Sequence, residues 1–399
     1  MLSISKKLLM GASLAVLALS SQAKEYGPGV TDTEIKIGNI MPYSGPASAY
    51  GVIGKAEAAY FQYINDQGGI NGRKIEFVSL DDGYSPPKAV EQTRKLVEQD
   101  EVLLVFQALG TPSNSAVQKY MNSRKVPQLF VATGASKWND PENFHWTMGW
   151  QPTYFDEAVI YAKHVLKNDP DAKIGILYQN DDFGKDYLDG FKAGLGDKYG
   201  SMVVAEISYE VTDPTIDSQM VSLKGSGADT FFNITTPKFA AQAIKKAAEI
   251  DWTPVHYMTV VSASIGAVLE PAGLENAKGI YTGFYLKDAT DPQWQDDPGL
   301  KDWTAWMDKY LPTADKADGF YVFGYTVAQT MVQVLKQAGD ELTRENIMKQ
   351  AANLDLELPM LLPGIRIKTS ETDYGPIQSL QIGQFNGTIY ELSGEIIGQ

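Results

Sequence analysis

The sequence predicts an α/β protein in which two doubly wound lobes are joined by a hinge of three crossovers. Three observations support this prediction. Short apolar runs of strand length alternate with segments of helical apolar spacing, which is the pattern of β-loop-α units around a parallel sheet. A second series of such units begins after residues 146–152. The chain ends in an alternating pattern around Asn386-Gly387, which predicts a β-hairpin.

The first unit begins with residues 34–51, EIKIGNIMPYSGPASAYG. Its apolar strand is interrupted at Met41-Pro42 and leads into a loop that ends near Tyr50. Apolar residues then follow at helical spacing until Gly68-Gly69, which is a C-terminal stop signal. Small ligands of such sheets bind beyond the carboxyl ends of the strands and against helix N-termini. The loop of residues 44–50 is therefore expected to contact a ligand.

Further strands are predicted in the first lobe at residues 73–80, 102–106 and 127–131. The run VLLVF at 102–106 is apolar throughout, which is typical of a parallel strand covered on both faces. Helices are expected after Pro86-Pro87 and after Pro112, because proline is favoured in the first helical turn. Four β-loop-α units in series make one doubly wound domain.

The second series has predicted strands at 173–178, 202–207, 230–233 and 255–258. The chain is then predicted to return to the first lobe, with a strand at 280–284 and helices at 300–310, 319–338 and 343–353. A hairpin at 377–397 that docks on the second lobe makes the third crossing. The predicted division is a signal peptide at 1–23, a first lobe at 24–149 plus 284–368, and a second lobe at 150–283 plus 369–399.

The first 23 residues have the pattern of a secretory signal peptide. Lys6 and Lys7 precede an apolar run at residues 8–19, and small residues up to Ala23 follow it. That run is too short to span a bilayer, and no later window approaches 18 consecutive apolar residues. The chain has no cysteine, which excludes disulfides, thiolate metal sites and a lipid anchor on Cys. A periplasmic protein without a direct membrane anchor is expected.

The charge and the missing motifs exclude several classes of protein. The formal net charge of −15, which becomes −17 without Lys6 and Lys7, argues against nucleic acid as a partner. The sequence lacks a P-loop, a G-x-S-x-G elbow and a G-x-G-x-x-G loop, and its three histidines lack metal-ligand spacing. We therefore expect no cofactor, no metal and no enzymatic activity. A secreted hydrolase is the alternative, which a screen for turnover would test.

Four segments resemble a known family. They are IKIGNIMPYSGPASAYG, NDQGGINGRKIE, DDGYSPPKAVEQTRKLV and QNDDFGKDYLDGF, and they occur in the family's order. The family is that of periplasmic solute-binding proteins of branched-chain amino acid type ABC transporters, similar to Leu/Ile/Val-binding proteins. The resemblance implies the type I periplasmic binding protein fold. It also implies a receptor, expected to be monomeric, that closes on a small-molecule solute and delivers it to membrane permease subunits.

The resemblance also implies ligand-contacting positions. They fall on Tyr50, on Gly110 or Thr111, and on Gly134, Ser136 and Phe183. Trp150 at the crossing and Thr236 are further candidates for ligand contact. Thr111 begins a helix whose free N–H groups favour a carboxylate, and Gly134 allows close approach to the backbone. The alternatives are a capping role for Thr111, a turn role for Ser136, and core packing for the aromatic residues.

The sequence departs from the amino-acid-binding members at one position. Those members have an acidic residue just beyond the strand that ends here near Met258, whereas this chain reads Thr259-Val260-Val261-Ser262-Ala263. An ammonium group buried without a counter-charge is unfavourable. We therefore expect an aromatic or other non-amino carboxylate. The stretches GASKWNDPENF and WTMGWQP also resemble the subgroup of this family associated with aromatic acids, which implies a solute of benzoate, hydroxybenzoate or coumarate type. Branched-chain amino acids, small amides and a sensory role are the alternatives.

Overall fold

The computed structural model describes residues 26–398, so the predicted signal peptide at 1–23 lies outside the described residues. The strands are β1 (Glu34–Met41), β2 (Lys74–Asp81), β3 (Leu104–Phe106), β4 (Gln128–Val131), β5 (Thr147–Gly149), β6 (Ile174–Gln179), β7 (Val203–Tyr209), β8 (Thr230–Ile234), β9 (Val255–Met258), β10 (Tyr281–Phe284), β11 (Asp355–Leu356), β12 (Ile367–Lys368), β13 (Ser379–Phe385) and β14 (Tyr390–Gly398).

Helices cover both faces of the sheets. They are α1 (Gly51–Asp66), α2 (Pro86–Glu98), α3 (Thr111–Ser123), α4 (Tyr154–Asn168), α5 (Asp182–Leu195), α6 (Tyr199–Met202), α7 (Asp217–Gly225), α8 (Pro237–Glu249), α9 (Glu270–Ala272), α10 (Leu274–Ala277), α11 (Pro298–Tyr310), α12 (Phe320–Ala338) and α13 (Arg344–Ala351). Among residues 26–398, none of these helices has the length and apolar content needed to cross a bilayer.

The first lobe is built on a parallel sheet in the order β2-β1-β3-β4-β5. Its short central strand β3 is buried at every residue, as expected for a strand covered by helices on both faces. Helix α12 is apolar on nearly all sides and packs against α1. Gly324 permits this contact, because a Cβ there would lie 2.7 Å from the Ala56 Cβ.

The second lobe is built on a sheet in the order β14-β13-β10-β9-β8-β6-β7. Strands β6 to β10 run parallel, and β13 pairs antiparallel with both β10 and β14. The predicted C-terminal hairpin is therefore present and completes the second sheet. Its turn is closed by Asn386, whose side-chain oxygen accepts hydrogen bonds from the backbone N–H groups of Thr388 at 2.9 Å and Ile389 at 3.0 Å.

The chain passes between the lobes three times, after β5, after β10 and between β12 and β13. Two details differ from expectation. Residues 147–149 form an edge strand of the first sheet, so the first crossing begins only after Gly149. The strand expected to open the return to the first lobe is β10, which pairs in the second sheet with β9 and β13. The exact lobe boundaries remain predictions.

Candidate functional site

A cavity lies between the lobes, with a water-accessible volume of about 120 Å3. Its walls are mostly aromatic and aliphatic and come from both lobes and from the hinge. They include Tyr50, Tyr84, Leu109, Gly110, Thr111, Gln151, Tyr154, Phe183, Thr236, Val260, Val261, Ser264, Ile265, Tyr285, Lys287, Asp288, Phe320 and Phe323.

The first-lobe wall is formed by the β3 exit and the start of α3. Gly110 has φ of 98°, a conformation that favours glycine, and a Cβ there would lie 2.6 Å from the Tyr84 ring. Asn114 fixes this turn, because its side-chain nitrogen donates to the Ala108 carbonyl at 2.7 Å and to the Gly110 carbonyl at 2.9 Å. Thr111 follows with its hydroxyl 2.6 Å from the Thr133 hydroxyl. The positive end of α3 thus lies at the cavity, where it favours an anion.

Tyr50 contributes to the first-lobe wall and also touches the second lobe. Its ring packs 5.0 Å from that of Phe320, and its hydroxyl donates to the Val261 carbonyl at 3.0 Å. This hydrogen bond spans the cleft, so the structure has the lobes closed around the cavity.

Phe183 and Thr236 line the cavity from the second lobe, at the starts of α5 and α8. Asp181 caps α5 by accepting a hydrogen bond from the Phe183 N–H at 2.9 Å, which fixes the Phe183 backbone. The Phe183 ring packs against Tyr154 at a centroid distance of 5.0 Å. The Thr236 N–H donates to the Tyr209 hydroxyl at 3.0 Å.

The segment after β9 forms another part of the second-lobe wall and is supported from below by Glu157. This fully buried carboxylate accepts hydrogen bonds from the Val260 N–H at 2.9 Å and from the hydroxyls of Tyr161 and Tyr187, both at 2.6 Å. Desolvation raises the pKa of Glu157 to about 7, and these three hydrogen bonds oppose a larger shift. An acid thus supports the segment from behind, although the segment itself carries none.

Three predicted contact residues lie elsewhere. Gly134 and Ser136 are not part of the cavity wall. The Ser136 hydroxyl donates to Asp186 of α5 at 2.5 Å, and a Cβ on Gly134 would lie 2.5 Å from the Pro152 carbonyl oxygen. Trp150 is fully buried, and its indole N–H donates to the Thr330 hydroxyl at 3.0 Å. Gly134 therefore serves close backbone packing, Ser136 an interlobe contact and Trp150 the hinge core.

The contacts of Ser136 belong to a polar group that joins the lobes outside the cavity, here called the latch. Its members are Ser115, Ser136 and Lys137 of the first lobe and Asp182 and Asp186 of α5. Lys137 Nζ lies 3.0 Å from Asp182 Oδ2, and the Ser115 hydroxyl donates to the same oxygen at 3.3 Å. The Ser136 N–H donates to Asp186 at 3.0 Å. These contacts hold the closed arrangement at its rim.

The structure adds polar residues to the cavity that the sequence patterns did not indicate. Lys287 and Asp288 follow the carboxyl end of β10, so the strand-exit rule could have identified them had β10 been assigned to the second sheet. Lys287 Nζ is paired with Asp297 Oδ2 at 2.7 Å. Asp288 Oδ1 accepts from the Thr290 N–H and hydroxyl, both at 2.8 Å, and desolvation raises the pKa of the Asp288 carboxyl. An acid therefore does line the cavity.

Gln151 is a further cavity residue that no sequence pattern singled out. It lies on the first crossing between the lobes, beside the buried Trp150. Within residues 26–398 the structure groups no three His, Cys, Asp or Glu side chains in a manner that could hold a metal ion. The cavity lining combines aromatic surface with a few polar groups.

The family profile for periplasmic binding proteins matches residues 34–388. The chain belongs to this family. The predicted family and the type I periplasmic binding protein fold are thereby confirmed, and with them the broad class of extracytoplasmic solute-binding proteins.

Individual relatives are distant but extend over most of the chain. Leu/Ile/Val-binding protein homolog 7 of Brucella abortus is 22% identical over 335 residues, covering 81% of this chain and 82% of that protein. A branched-chain amino acid ABC transporter protein from Thermus thermophilus, with bound valine, has a TM-score of 0.82 at 15% identity, covering 93% and 98%. A solute-binding protein of R. palustris in complex with benzoate has a TM-score of 0.77 at 18% identity, covering 92% and 98%. At these identities the structural likeness establishes the fold alone.

Proposed function

We propose that this periplasmic binding protein is the receptor of an ABC importer and captures a small carboxylate between its lobes, with an aromatic acid as the favoured solute. The observation that carries this proposal is the closed cavity, whose aromatic walls meet the N-terminal end of α3. Aromatic rings of a solute pack well against such walls, and the helix end favours its carboxylate. The benzoate complex of the R. palustris protein supports this solute class.

The proposed mechanism is ligand-gated closure without covalent chemistry. A solute that contacts both walls binds the closed form more tightly than the open form and so shifts the population toward closure. The hydrogen bond from Tyr50 to the Val261 carbonyl and the latch form only when the lobes meet. The closed surface is then what the permease subunits of the importer recognise, and the solute is released unchanged.

A second candidate solute is a branched-chain amino acid. The observation that favours it is Asp288 at the cavity wall, because a carboxylate there could hold an ammonium group. The valine complex of the T. thermophilus protein supports this candidate as well. Small amides, which carry no charge, are a third class for the same cavity.

Thermal unfolding with a panel of solutes tests the proposal. Benzoate, 4-hydroxybenzoate and 4-coumarate are compared with leucine, valine and acetamide. A solute present at 100 times its Kd adds about 2.7 kcal/mol to the free energy of unfolding, so a true ligand raises the melting temperature clearly. We expect the aromatic acids to give the largest shifts. If leucine or valine raises the melting temperature and no ring-bearing acid does, the favoured solute becomes a branched-chain amino acid.

The carboxylate anchor is tested by Thr111→Ala. Loss of a hydroxyl that contacts a charged ligand, directly or through Thr133, should weaken aromatic-acid binding by about 1–3 kcal/mol in isothermal titration calorimetry. Thr93→Ala is the matched control, because Thr93 is buried in α2 outside the cavity. If the two variants bind the aromatic acid with equal affinity, Thr111 is not part of the carboxylate anchor.

A further inference from the structure

Gln151 has a buried side chain whose terminal nitrogen makes no hydrogen bond. Only 6% of the residue is exposed, and it lines the cavity. Its Nε2 atom has no hydrogen-bond partner. A buried donor without a partner is unfavourable, and most buried polar groups in proteins are paired. The missing partner is therefore expected to come from a molecule in the cavity.

The backbone around Gln151 is held on both sides, so the point from which its side chain enters the cavity wall is fixed. On one side the Trp150 indole N–H donates to Thr330 at 3.0 Å, and the Trp150 ring packs 5.2 Å from that of Phe323. On the other side the Tyr154 N–H donates to the Gly134 carbonyl at 2.7 Å. A buried side chain on a fixed backbone has less conformational freedom to lose when a solute arrives than an exposed side chain has.

We propose that Gln151 is a specificity-determining residue that donates a hydrogen bond from its carboxamide to an oxygen of the bound solute. The inference rests on the proposed solute-binding function and deepens it. Because Gln151 lies on the first crossing, the bond ties the solute to the hinge in addition to the two lobe walls. The unpartnered donor at this position favours a solute with a carboxylate, carbonyl or hydroxyl oxygen there.

The test compares Gln151→Met with Gln118→Met by calorimetric titration of benzoate and leucine. Gln118 is a matched control, because it is 4% exposed, its Nε2 also lacks a partner, and it lies on α3 outside the cavity lining. For whichever probe binds the wild type more tightly, Gln151→Met should reduce affinity about 10- to 100-fold. Gln118→Met should leave it unchanged. Equal affinities for Gln151→Met and the wild type would overturn the inference while leaving the proposed function intact.

Gln151→Glu should change the pH dependence of benzoate affinity, which a purely structural role of Gln151 would not do. The introduced carboxylate repels a carboxylate solute and cannot donate to it, so affinity for benzoate should fall further than in Gln151→Met at pH 8. The introduced carboxyl regains a donor when protonated, so the ratio of variant to wild-type affinity should rise as the pH falls to 5. A ratio that is constant with pH would contradict the proposed hydrogen bond.

If neither benzoate nor leucine binds the wild type, the proposed solute classes are wrong. The melting temperature of the ligand-free protein then tests the inference about Gln151. If Nε2 has no internal partner, Gln151→Met should melt at the same temperature as the wild type or higher. Melting several degrees lower would show that Gln151 already serves a structural bond and would overturn the inference.

Discussion

Each lobe has a fully buried glutamate near the cavity wall, but the two glutamates have very different surroundings. Glu57 of α1 has one long hydrogen bond, from Asn39 at 3.3 Å to Oε2, and its Oε1 has no partner. Glu157 of α4 is the acceptor of three short bonds. Desolvation raises the pKa of Glu57 well above its ordinary value, whereas for Glu157 the hydrogen bonds limit the rise to about 7.

The difference indicates how each wall of the cavity is supported. Asn39, the partner of Glu57, already donates to the carbonyls of Phe106 and Gln107 at the β3 exit, so that wall depends little on the carboxyl. The backbone of Val260, in the opposite wall, is held directly by Glu157. The first wall is therefore insensitive to the charge of its glutamate, and the second depends on a group that titrates near neutral pH.

The largest expected effect comes from removing the two carboxyls. Glu157→Leu leaves the Val260 N–H without its acceptor and weakens the bonding of Tyr161 and Tyr187. We expect the free energy of unfolding to fall by about 2–4 kcal/mol, against less than about 1 kcal/mol for Glu57→Leu. Denaturant unfolding at pH 5 measures both, because the two carboxyls are then largely neutral in the folded protein. Equal losses would abolish the contrast.

The next effect is in the pH dependence of stability. Both folded-state pKa values are raised above 4.5, so each glutamate favours the folded state below pH 4.5, and this stability is lost as the pH rises through the folded-state pKa. Glu157→Gln should remove a slope confined to pH 4.5 to about 7, on the order of 3 kcal/mol in total. Glu57→Gln should remove a slope that continues above pH 7. Denaturant midpoints measured from pH 4 to 9 test this contrast. An interchange of the two slopes between the variants would contradict it.

The smallest expected effect is at the rim, outside both walls. The Lys137–Asp182 pair of the latch is exposed, at 40% and 51% of the two side chains, and such pairs contribute about 0–1 kcal/mol. Lys137→Met should lower solute affinity less than about fivefold, and the loss should disappear in 1 M salt. Lys119→Met, on the exposed side of α3, removes the same charge away from the latch and serves as the control. A loss that persists in high salt would mean that Lys137 acts through packing.

Local patterns predicted most of the fold. The alternation of β and α segments and the Asn386-Gly387 turn are encoded by neighbours in the sequence, and the structure has them where they were expected. Strand β5 was missed because three residues show no periodicity. The pairing of strand β10 in the second sheet was not predicted, because its partners, Tyr257 and residues 381–384, are distant in sequence.

The site residues differ in the same way: local patterns indicate some of them, and others depend on residues that are distant in the sequence. Tyr50, Gly110, Thr111, Phe183 and Thr236 line the cavity because all of them follow strand ends or begin helices, which local patterns indicate. The environments of Ser136 and Trp150 depend on Asp186 and Thr330, which come from distant helices. Gln151 lies on a hinge crossing that carries no pattern of its own, whereas Asp288 could be recognised as a strand-exit residue only once β10 is placed in the second sheet.

The C-terminal hairpin has a consequence for how the protein is made. Strand β13 covers one side of β10 and buries Leu380 and Ile382, yet it is synthesised long after β10. A nascent chain on the ribosome has residues 174–284 available long before their final neighbours. The second sheet therefore cannot be completed until β13 and β14 have been synthesised, long after β10.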